Sequence, residues 1–356
     1  MSRPARVIVN THAVQANLEI VRACAPRAKI MAIVKADGYG HGIGRIASAL
    51  SSHADAFGVA SIEEALRVRA AGVAAPIVLL EGPFAADEIG EIAANALETV
   101  VHTAEQVGWL ENAPVDVPVW VKIDSGMHRL GFDPAAAGAA IASLRRSGRV
   151  VRLMTHLAST HRESDASVTQ QLALFEQLIA EQPGERSIAN SGAVLGWPQC
   201  HADWVRPGIM LYGVSPFRGK RGIDHGLIPA MSVVSSLIAV REVDAGGSVG
   251  YGKAYVCPER MPVGVVAFGY GDGYPRAAAT GTPIIVNGVR TQVIGEASMD
   301  MLTVDLRPVP RARTGDPVML WGPGLPVEEV AESAGTIPYE LLCRVRMRAR
   351  YVESAE

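Results

Sequence analysis

Residues 29–35 read K-I-M-A-I-V-K, residues 56–60 read A-F-G-V-A and residues 76–80 read P-I-V-L-L, and longer Ala-rich segments separate these apolar runs. Short apolar runs that alternate with helical segments are typical of a parallel sheet with crossover helices. Five further runs continue the alternation: E-T-V-V-H (98–102), V-P-V-W-V-K-I-D (117–124), V-V-R-L-M-T-H (150–156), R-S-I-A-N (186–190) and D-W-V-R (203–206). Eight parallel strands predict closure into a (β/α)8 barrel.

The segments between these runs have the composition of helices. They lie at 43–51, 61–71, 85–95, 103–111, 134–147 and 165–181. The last segment carries apolar residues at Val168, Leu172, Phe175 and Leu178–Ile179, a spacing that predicts one buried helix face. The connecting loops are short, as βα units require.

The helical segments become rare after about residue 226. Short β-type runs such as S-V-V-S-S-L-I-A-V, T-P-I-I-V and V-R-T-Q-V-I then follow at close intervals. Asn287–Gly288 lies between two of them, where a tight hairpin turn needs positive φ. One or two helices are expected near V-E-E-V-A and P-Y-E-L-L. We therefore predict an α/β plus all-β protein, with a TIM-type barrel over 1–226 and a C-terminal β domain over 227–356, and the first residues are candidates to pair with the second domain.

Composition limits the classes of function. The chain has 356 residues, more than one core usually organises, and 33 Lys and Arg against 36 Asp and Glu give a net charge of −3, which offers no attraction for nucleic acid. No run approaches the roughly 18 apolar residues of a membrane span, and the first residues lack a long apolar region for secretion. We expect a cytoplasmic protein. The four scattered cysteines suggest reduced thiols, and no structural metal site is expected.

Polar residues stand at the ends of several predicted strands: Lys35, Lys122, Asp124, His156, Asn190 and Arg206. In a closed parallel barrel these ends surround one mouth, so the side chains should converge. Burial of Lys35 would favour its neutral amine, which can form a Schiff base with a carbonyl cofactor. A lysine that merely extends its ammonium group into solvent is the alternative, and the local spacing leaves both open.

The segment V-K-A-D-G-Y-G-H-G (34–42) resembles the cofactor-lysine segment of bacterial alanine racemases. Other segments resemble the same family in the same order: K-I-D-S-G-M-H-R-L-G (122–131), N-S (190–191), V-R-P-G-I-M-L-Y-G (205–213), G-Y-G-K (250–253), G-Y-G-D-G-Y-P-R (269–276) and E-A-S-M-D-M (296–301). The resemblance extends over nearly the whole chain. It implies a pyridoxal 5′-phosphate enzyme that interconverts L- and D-alanine as a homodimer, whose active sites the partner's β domain completes.

The resemblance also implies residue roles. Lys35 would carry the cofactor and act as the base for the D-enantiomer, and Tyr251 of the other subunit would act on the L-enantiomer. His156 and Arg206 would stabilise the Tyr251 phenolate, and Arg206 would face the pyridine nitrogen. The remaining cofactor contacts would come from Tyr39, Arg129, Asn190, Ser191, Gly208, Ile209 and Tyr339. From the residues alone, Tyr251 could be a loop aromatic, His156 a core histidine, and Arg206 part of a structural ion pair.

Further roles concern the substrate and one modified lysine. Arg129, Tyr270, Met299 and Asp300 match positions near the substrate carboxylate and the entrance that the partner subunit contributes to, and Arg129 also matches the contact to the phenolic oxygen of the cofactor. Lys122 matches a lysine that the family often carries as a carbamate. A carbamate would turn a second buried cation beside Arg129 into an anion. An unmodified Lys122 paired with Asp124 is the competing interpretation.

Three other functions stay open at this point. A racemase of broader specificity, acting on serine or lysine, would need only a larger pocket. A decarboxylase with a similar barrel would lack the tyrosine of G-Y-G-K and the S-M-D-M segment. A non-catalytic carrier of pyridoxal phosphate would lack the β domain that carries Tyr251. The sequence also leaves open whether the racemase makes D-alanine for the cell wall or degrades L-alanine.

Overall fold

The structure is a computed structural model that describes residues 3–162, 164–345 and 348–354. The chain forms two compact units. The barrel unit comprises residues 14–211 and 215–220, and the β unit comprises residues up to 13, 212–214 and those from 221 onward. The last segment of the β unit starts at residue 221, and the predicted boundary between residues 226 and 227 lies a few residues after that start. Among the described residues, no helix is long and apolar enough to cross a membrane.

Eight parallel strands form the core of the barrel unit. Each strand pairs with the next, and the pairing of the last with the first closes the barrel, as predicted. Every strand coincides with a predicted run to within a few residues. The strands are β2 (Lys29–Ile33), β3 (Ala56–Val59), β4 (Ile77–Leu79), β5 (Leu97–Val101), β6 (Val119–Lys122), β7 (Val151–Met154), β8 (Arg186–Asn190) and β9 (Trp204–Arg206).

Helices follow most of the strands. The six predicted helices are α3 (Ile43–Leu50), α4 (Ile62–Ala70), α5 (Glu88–Ala94), α6 (Ala104–Asn112), α7 (Pro134–Arg146) and α8 (Ala166–Ile179). Their starts have local causes: the Ser61 and Thr103 side chains cap α4 and α6, and Asp133 caps α7, which has proline at its first position. The structure adds α1 (Thr11–Cys24), the short irregular α2 (Lys35–Tyr39) and α9 (Ser191–Gly196), which the sequence pattern did not predict.

The β unit is built on one long strand. This strand, β10 (Met231–Val243), pairs with β1 (Arg6–Val9), β13 (Met261–Val266) and β17 (Pro317–Trp321), so the first residues belong to its sheet. Asn287 and Gly288 have φ of 50° and 77° and connect β14 to β15, which confirms the predicted hairpin. The other elements are β11 (Ser248–Val249), β12 (Tyr255–Val256), β13 (Met261–Val266), β14 (Pro283–Val286), β15 (Val289–Gln292), β16 (Leu302–Asp305), β17 (Pro317–Trp321), α10 (Val327–Ser333), α11 (Pro338–Arg344) and β18 (Arg350–Glu353).

A charged network lies at the amino-terminal end of the barrel strands. Arg152 of β7 donates from Nε to Glu185 at 2.8 Å and from Nη1 to Glu98 at 2.9 Å. Glu185 also accepts from Lys29 Nζ at 2.6 Å and from Trp204 Nε1 at 3.0 Å. Burial would raise the pKa of Glu185, but the hydrogen bonds from Lys29, Trp204 and Arg152 outweigh it and lower that pKa to about 2. The network therefore connects four strands through one carboxylate that is ionised at neutral pH.

This network should make barrel stability depend on pH in acid. The pKa of Glu185 is lower in the folded than in the unfolded chain. The contribution of Glu185 to the free energy of unfolding is therefore complete at pH values above the pKa of the unfolded chain, and it disappears as pH falls toward 2. After allowance for the solvent-exposed part of the side chain, we expect Glu185→Gln to cost roughly 1–2 kcal/mol at pH 7. Urea unfolding at pH 7, 5 and 3 should show the difference from wild type shrinking with pH. Glu181→Gln, an exposed neighbour, is the control; equal effects of the two variants would contradict the assignment.

Candidate active site

The structure brings the cationic residues of the strand ends together. Lys122 ends β6, Arg206 ends β9, Lys35 follows β2 by two residues, and Arg129 lies in the loop after β6. Burial and the positive charges of Arg206, Arg129 and Lys35 lower the pKa of Lys122 to about 8. These charges are therefore close enough to Lys122 to act on its ammonium group. The convergence expected of a closed barrel is thus present at its carboxyl-terminal end.

The His156 ring lies within this group of cations. Burial and the charges of Arg206, Lys122, Arg129 and Lys35 hold its pKa well below the usual value for histidine, so the imidazole is neutral at physiological pH. Its Nδ1 lies 3.4 Å from Arg206 Nη2. The ring therefore accepts a hydrogen bond from the guanidinium and adds no further positive charge.

Arg206 is fixed by neutral acceptors. Its Nη1 donates to Ser187 Oγ at 2.6 Å, and its Nη2 donates to the carbonyl oxygens of Thr155 at 2.6 Å and Ile188 at 3.3 Å. Burial lowers the pKa of Arg206 to about 10, which still leaves it protonated at neutral pH. No carboxylate of the described residues forms an ion pair with it, so the structural ion pair considered above is absent there. The guanidinium is a buried, rigid cation at the barrel mouth.

Ser191, Gly208 and Tyr39 form a compact group beside β9. Ser191 Oγ accepts the backbone N–H of Gly208 at 2.8 Å and that of Met210 at 3.5 Å. A Cβ atom at Gly208 would lie 2.4 Å from Tyr39 Oη, so only glycine leaves room for the tyrosine hydroxyl. The predicted phosphate donor Gly208 thus directs its N–H to Ser191 in this structure.

Asn190 and Ile209 flank that group. The Asn190 side chain caps α9, accepting Ala193 N–H at 3.2 Å and the Thr160 hydroxyl at 2.8 Å. Ile209 is buried and starts a short 3-10 turn, Ile209–Tyr212. Both residues hold the backbone beside Ser191.

Asp124 does not pair with Lys122. Its carboxylate accepts the backbone N–H groups of Gly126, Met127 and His128 at 2.9 to 3.1 Å, which closes the loop after β6. No hydrogen bond or ion pair joins Asp124 to Lys122 within the described part of the chain. The pairing of Lys122 with Asp124 is therefore absent from this structure, because the aspartate is committed to its own loop.

Glu81 is a site residue that the sequence analysis missed. Its Oε1 lies 3.8 Å from Lys35 Nζ, and both side chains are partly exposed. Glu81 follows the apolar run P-I-V-L-L by one residue, so the argument that selected the other strand ends applies to it as well. It is the acidic group that opposes the cations around Lys122.

The backbone after Lys35 is left-handed. Ala36, Asp37, Gly38 and Tyr39 have φ of 53°, 55°, 62° and 51°. Three of these four residues are not glycine, and each costs roughly 1–2 kcal/mol in this conformation. A strained turn of this kind needs support from its surroundings.

The predicted site residues of the β unit occupy two neighbouring loops and one turn. Tyr270 N–H donates to the Ser298 carbonyl at 3.0 Å, and Gly271 N–H donates to the Met299 carbonyl at 2.8 Å, so the loops that carry Tyr270, Met299 and Asp300 are paired. Tyr251 lies in a short 3-10 turn and is 70% exposed. Met299 is 54% exposed. These side chains are available to a second molecule.

A partly buried ion pair supports these loops, and no local pattern in the sequence indicates it. Asp272 is fully buried and accepts Arg3 Nη1 and Nη2, each at 3.1 Å. Arg3 Nη2 also donates to the Asp300 carbonyl at 3.0 Å, and Arg348 Nη2 donates to the Asp300 carboxylate at 2.5 Å. The pairs keep the pKa of Asp300 below its usual value, chiefly through the hydrogen bond from Arg348.

Tyr339 lies in α11, and burial raises the pKa of its hydroxyl to about 12. The hydroxyl is therefore protonated and able to donate a hydrogen bond at neutral pH.

The fold is a TIM-type barrel in a chain that continues into a β unit. A lysine amine lies near buried cations at the carboxyl-terminal mouth of the barrel. This combination is typical of a class of enzyme that binds an anionic carbonyl cofactor. Family models described as the N-terminal and the C-terminal domain of alanine racemase match residues 9–216 and 230–353. The chain belongs to the alanine racemase family.

Individual relatives agree with this membership. An alanine racemase of Halorhodospira halophila is 50% identical over 98% of both chains, and a biosynthetic alanine racemase of Escherichia coli K12 is 48% identical over 98% of this chain and 99% of that one. The crystal structure of the biosynthetic alanine racemase of Pseudomonas aeruginosa has a TM-score of 0.97 at 45% identity, covering 99% of both chains. The alanine racemase of Bartonella henselae, solved with covalently bound pyridoxal phosphate, has a TM-score of 0.90 at 29% identity, also over 99% of both chains. The predicted fold and family are confirmed.

The buried hydrogen bonds of Arg206 predict a large effect on stability. In Arg206→Met the acceptors of Ser187, Thr155 and Ile188 lose a charged donor, and we expect the free energy of unfolding to fall by about 2–4 kcal/mol. Urea unfolding of the cofactor-free protein measures it. Arg27→Met replaces an exposed arginine of the same unit and should change the value by less than about 0.5 kcal/mol. A similar small change in both variants would show that Arg206 is not held as described.

Proposed function

We propose that this protein interconverts L- and D-alanine, with pyridoxal 5′-phosphate held covalently by Lys35. The observation that carries the proposal is the position of the Lys35 amine at the barrel mouth, near the buried cations Lys122 and Arg206 and the exposed Arg129. Cations that raise one another's energy favour an anionic ligand, and a phosphorylated aldehyde supplies both the anion and the carbonyl that a lysine can bind. Membership of the alanine racemase family supports the same assignment.

The side chains present fit this cofactor. When bound, pyridoxal phosphate withdraws electrons from the α-carbon of an amino acid attached to it. Arg206 retains its protons, so it suits a pyridine nitrogen that stays unprotonated. A side chain at Gly208 would collide with the Tyr39 hydroxyl, so glycine keeps that hydroxyl close to the backbone that would bind the phosphate. The phosphate would be held by the Tyr39 and Tyr339 hydroxyls, Ser191 and the backbone at Gly208 and Ile209; Asn190 and His156 would orient their neighbours, and Arg129 would contact the phenolic oxygen.

Two bases on opposite faces of the α-carbon are what racemisation needs. Lys35 Nζ would take the proton from D-alanine or return one to it, and Tyr251 Oη of the other subunit would do the same for L-alanine. In L-to-D conversion Tyr251 Oη gains the proton that leaves the α-carbon, and Lys35 Nζ gives up the proton that arrives there. A proton must then pass from Tyr251 back to Lys35, directly or through solvent, before the next turnover in that direction. The high exposure of Tyr251 supports a role in a partner's site, and the His156–Arg206 contact supports a cationic environment able to stabilise a phenolate. We therefore propose a homodimer with shared active sites.

Lys122 suits the carbamate proposed for it. Since its pKa is about 8, a substantial part of the side chain is the neutral amine at pH 7 to 8. That amine attacks carbon dioxide, forming an N–C bond and releasing one proton. The product is an anion, which would relieve the repulsion from Arg206 and Arg129 that lowers the pKa of the lysine.

The carbamate predicts a direct signal. Protein equilibrated with 13C-labelled bicarbonate should show one carbamate resonance in its 13C spectrum, and Lys122→Arg should lack it while Lys253→Arg, which alters an exposed lysine, keeps it. Acidification should discharge the label, because carbamates decompose when protonated. A spectrum with no carbamate resonance in the wild-type protein would rule out the modification.

The proposed substrate is alanine, with Met299, Tyr270, Arg129 and Asp300 near its carboxylate, and the proposed location is the cytoplasm. Several curated relatives are named biosynthetic alanine racemases, which favours D-alanine synthesis for the cell wall. A racemase acting on serine or lysine as well is the alternative.

Purified protein loaded with cofactor should be incubated with L-alanine, L-serine and L-lysine separately, and each D-product measured by chiral chromatography. Rapid conversion of alanine alone supports the proposal, and comparable conversion of all three supports the alternative. No D-product would overturn both.

The two-base assignment predicts that loss of Tyr251 affects α-hydrogen exchange from L-alanine and from D-alanine differently. Net racemisation rates do not reveal this difference. Since L- and D-alanine are equally stable in water, loss of either base slows racemisation in both directions. In heavy water, Tyr251→Phe should still exchange the α-hydrogen of D-alanine near the wild-type rate, while exchange from L-alanine falls by at least ~100-fold. Proton NMR of each enantiomer measures the exchange. Tyr255→Phe, a tyrosine four residues along the chain, should leave both rates unchanged. Equal exchange from both enantiomers in Tyr251→Phe would refute its role.

A further inference from the structure

The left-handed turn after Lys35 is held by one face of helix α4. Glu64 Oε1 accepts the backbone N–H of Ala36 at 2.7 Å, and its Oε2 accepts the backbone N–H of Ala60 at 2.8 Å. Ala36 follows Lys35 directly, and Ala60 follows β3, the strand paired with β2. One carboxylate therefore joins the peptide next to Lys35 to the end of the neighbouring strand.

A second contact comes from the next turn of α4. Arg67 forms a short ion pair with Asp37 Oδ1, and the same oxygen accepts the backbone N–H of Ile43 at 3.0 Å. Glu64 and Arg67 are three residues apart and lie on one side of the helix. Together they hold two consecutive left-handed residues, Ala36 and Asp37, whose φ values are 53° and 55°.

Helix capping alone does not account for Glu64. In S-I-E-E (61–64) Ser61 Oγ accepts the Glu64 N–H at 3.4 Å, as a capping serine does. In a capping box the glutamate would return to the backbone N–H of the capping residue itself. Here its two oxygens reach the N–H groups of Ala60 and Ala36 instead. The carboxylate thus serves the segment that carries Lys35.

We infer that Glu64 and Arg67 are positioning residues, which fix the turn after Lys35 and thereby direct its amine toward the cofactor carbonyl. The inference rests on the proposed function. A positive φ is unfavourable for Ala36 and Asp37, so without these contacts the turn relaxes toward ordinary backbone conformations and Lys35 moves with it. Ala36 is exposed, so water replaces a lost hydrogen bond to its N–H. The effect therefore falls on the placement of Lys35 more than on stability.

The test compares Glu64→Ala and Glu64→Gln with Glu91→Gln, which alters an exposed glutamate on helix α5. Cofactor-free protein is mixed with pyridoxal phosphate, and the rate of covalent attachment is followed by absorbance and confirmed by borohydride trapping on the Lys35 peptide. Glu64→Ala should slow attachment and lower kcat by at least ~10-fold, because a displacement of about 1 Å can cost ~100-fold. KM for alanine should stay within about twofold of the wild-type value. The urea midpoint of the cofactor-free protein should stay near that of wild type. Glu64→Gln retains one acceptor oxygen and should recover part of the loss.

The outcomes separate the inference from the function it rests on. If wild-type protein neither binds the cofactor at Lys35 nor racemises alanine, the proposed function fails. If wild type does both and Glu64→Ala attaches the cofactor at the same rate, the positioning inference alone is overturned. A loss of kcat that only accompanies a lowered urea midpoint would also overturn it. Should Glu64→Ala not fold, Arg67→Ala removes only the contact to Asp37, and the same slower attachment is expected from it.

Discussion

The pairing of β2 with β9 is the constraint on which the barrel unit depends. Lys29 and Ile30 pair with Trp204 and Val205, and this closes a sheet that would otherwise have two open edges. Closure also places Lys35, Lys122 and Arg206 around one mouth, although 171 positions separate the first from the last of them (206 − 35). The pKa of Lys122 near 8 is a direct consequence, since a buried lysine among cations loses its proton more easily. The chemistry of the site thus follows from the topology of the sheet.

The two ends of the barrel use charge in opposite ways. At the amino-terminal end, Arg152 and Lys29 meet Glu98 and Glu185, so each of these four charges has a partner and the network stabilises the fold. At the carboxyl-terminal end the cations exceed their acidic partners, with Glu81 opposing several of them. Unbalanced charge is costly in a folded protein and is kept where a ligand supplies the missing partner. The strain of the left-handed turn after Lys35 lies at this same end, where the surrounding helices and strands hold it in place.

In the β unit, a partly buried ion pair fixes the loops that carry the proposed site residues. A fully buried carboxylate, Asp272, needs a partner, and Arg3 from the first residues of the chain supplies it. The same arginine donates to the Asp300 carbonyl. The loops that carry Tyr270 and Met299 are therefore held by the segment just before β1, the strand that pairs with β10. The exposed Met299 is therefore presented on loops that are held by contacts within a single chain, and this suits a residue proposed to act in a partner's site.

The sequence determined most features that depend on neighbours along the chain, although helices α1 and α9 were missed. Alternating apolar runs predicted all eight barrel strands and six of the helices, and Asn287–Gly288 predicted its hairpin, because burial periodicity and turn sterics act over a few residues. Strand ends identified Lys35, Lys122, His156 and Arg206, since closure of a parallel barrel brings them together wherever they lie. The family resemblance added the roles, which the fold cannot supply.

Only the tertiary structure decided which groups meet through space. Arg3 and Asp272 are 269 residues apart, and no spacing rule connects them. The segment K-A-D-G-Y contains one glycine, so its own residues do not favour four positive φ values, and Glu64 and Arg67 of helix α4 contact it at Ala36 and Asp37. Asp124 was assigned as a candidate partner of Lys122, but its carboxylate closes the loop after β6. Local sequence encodes the conformations that each residue favours, whereas long-range contacts select among them, and the selected pairs can be seen only once the chain is folded.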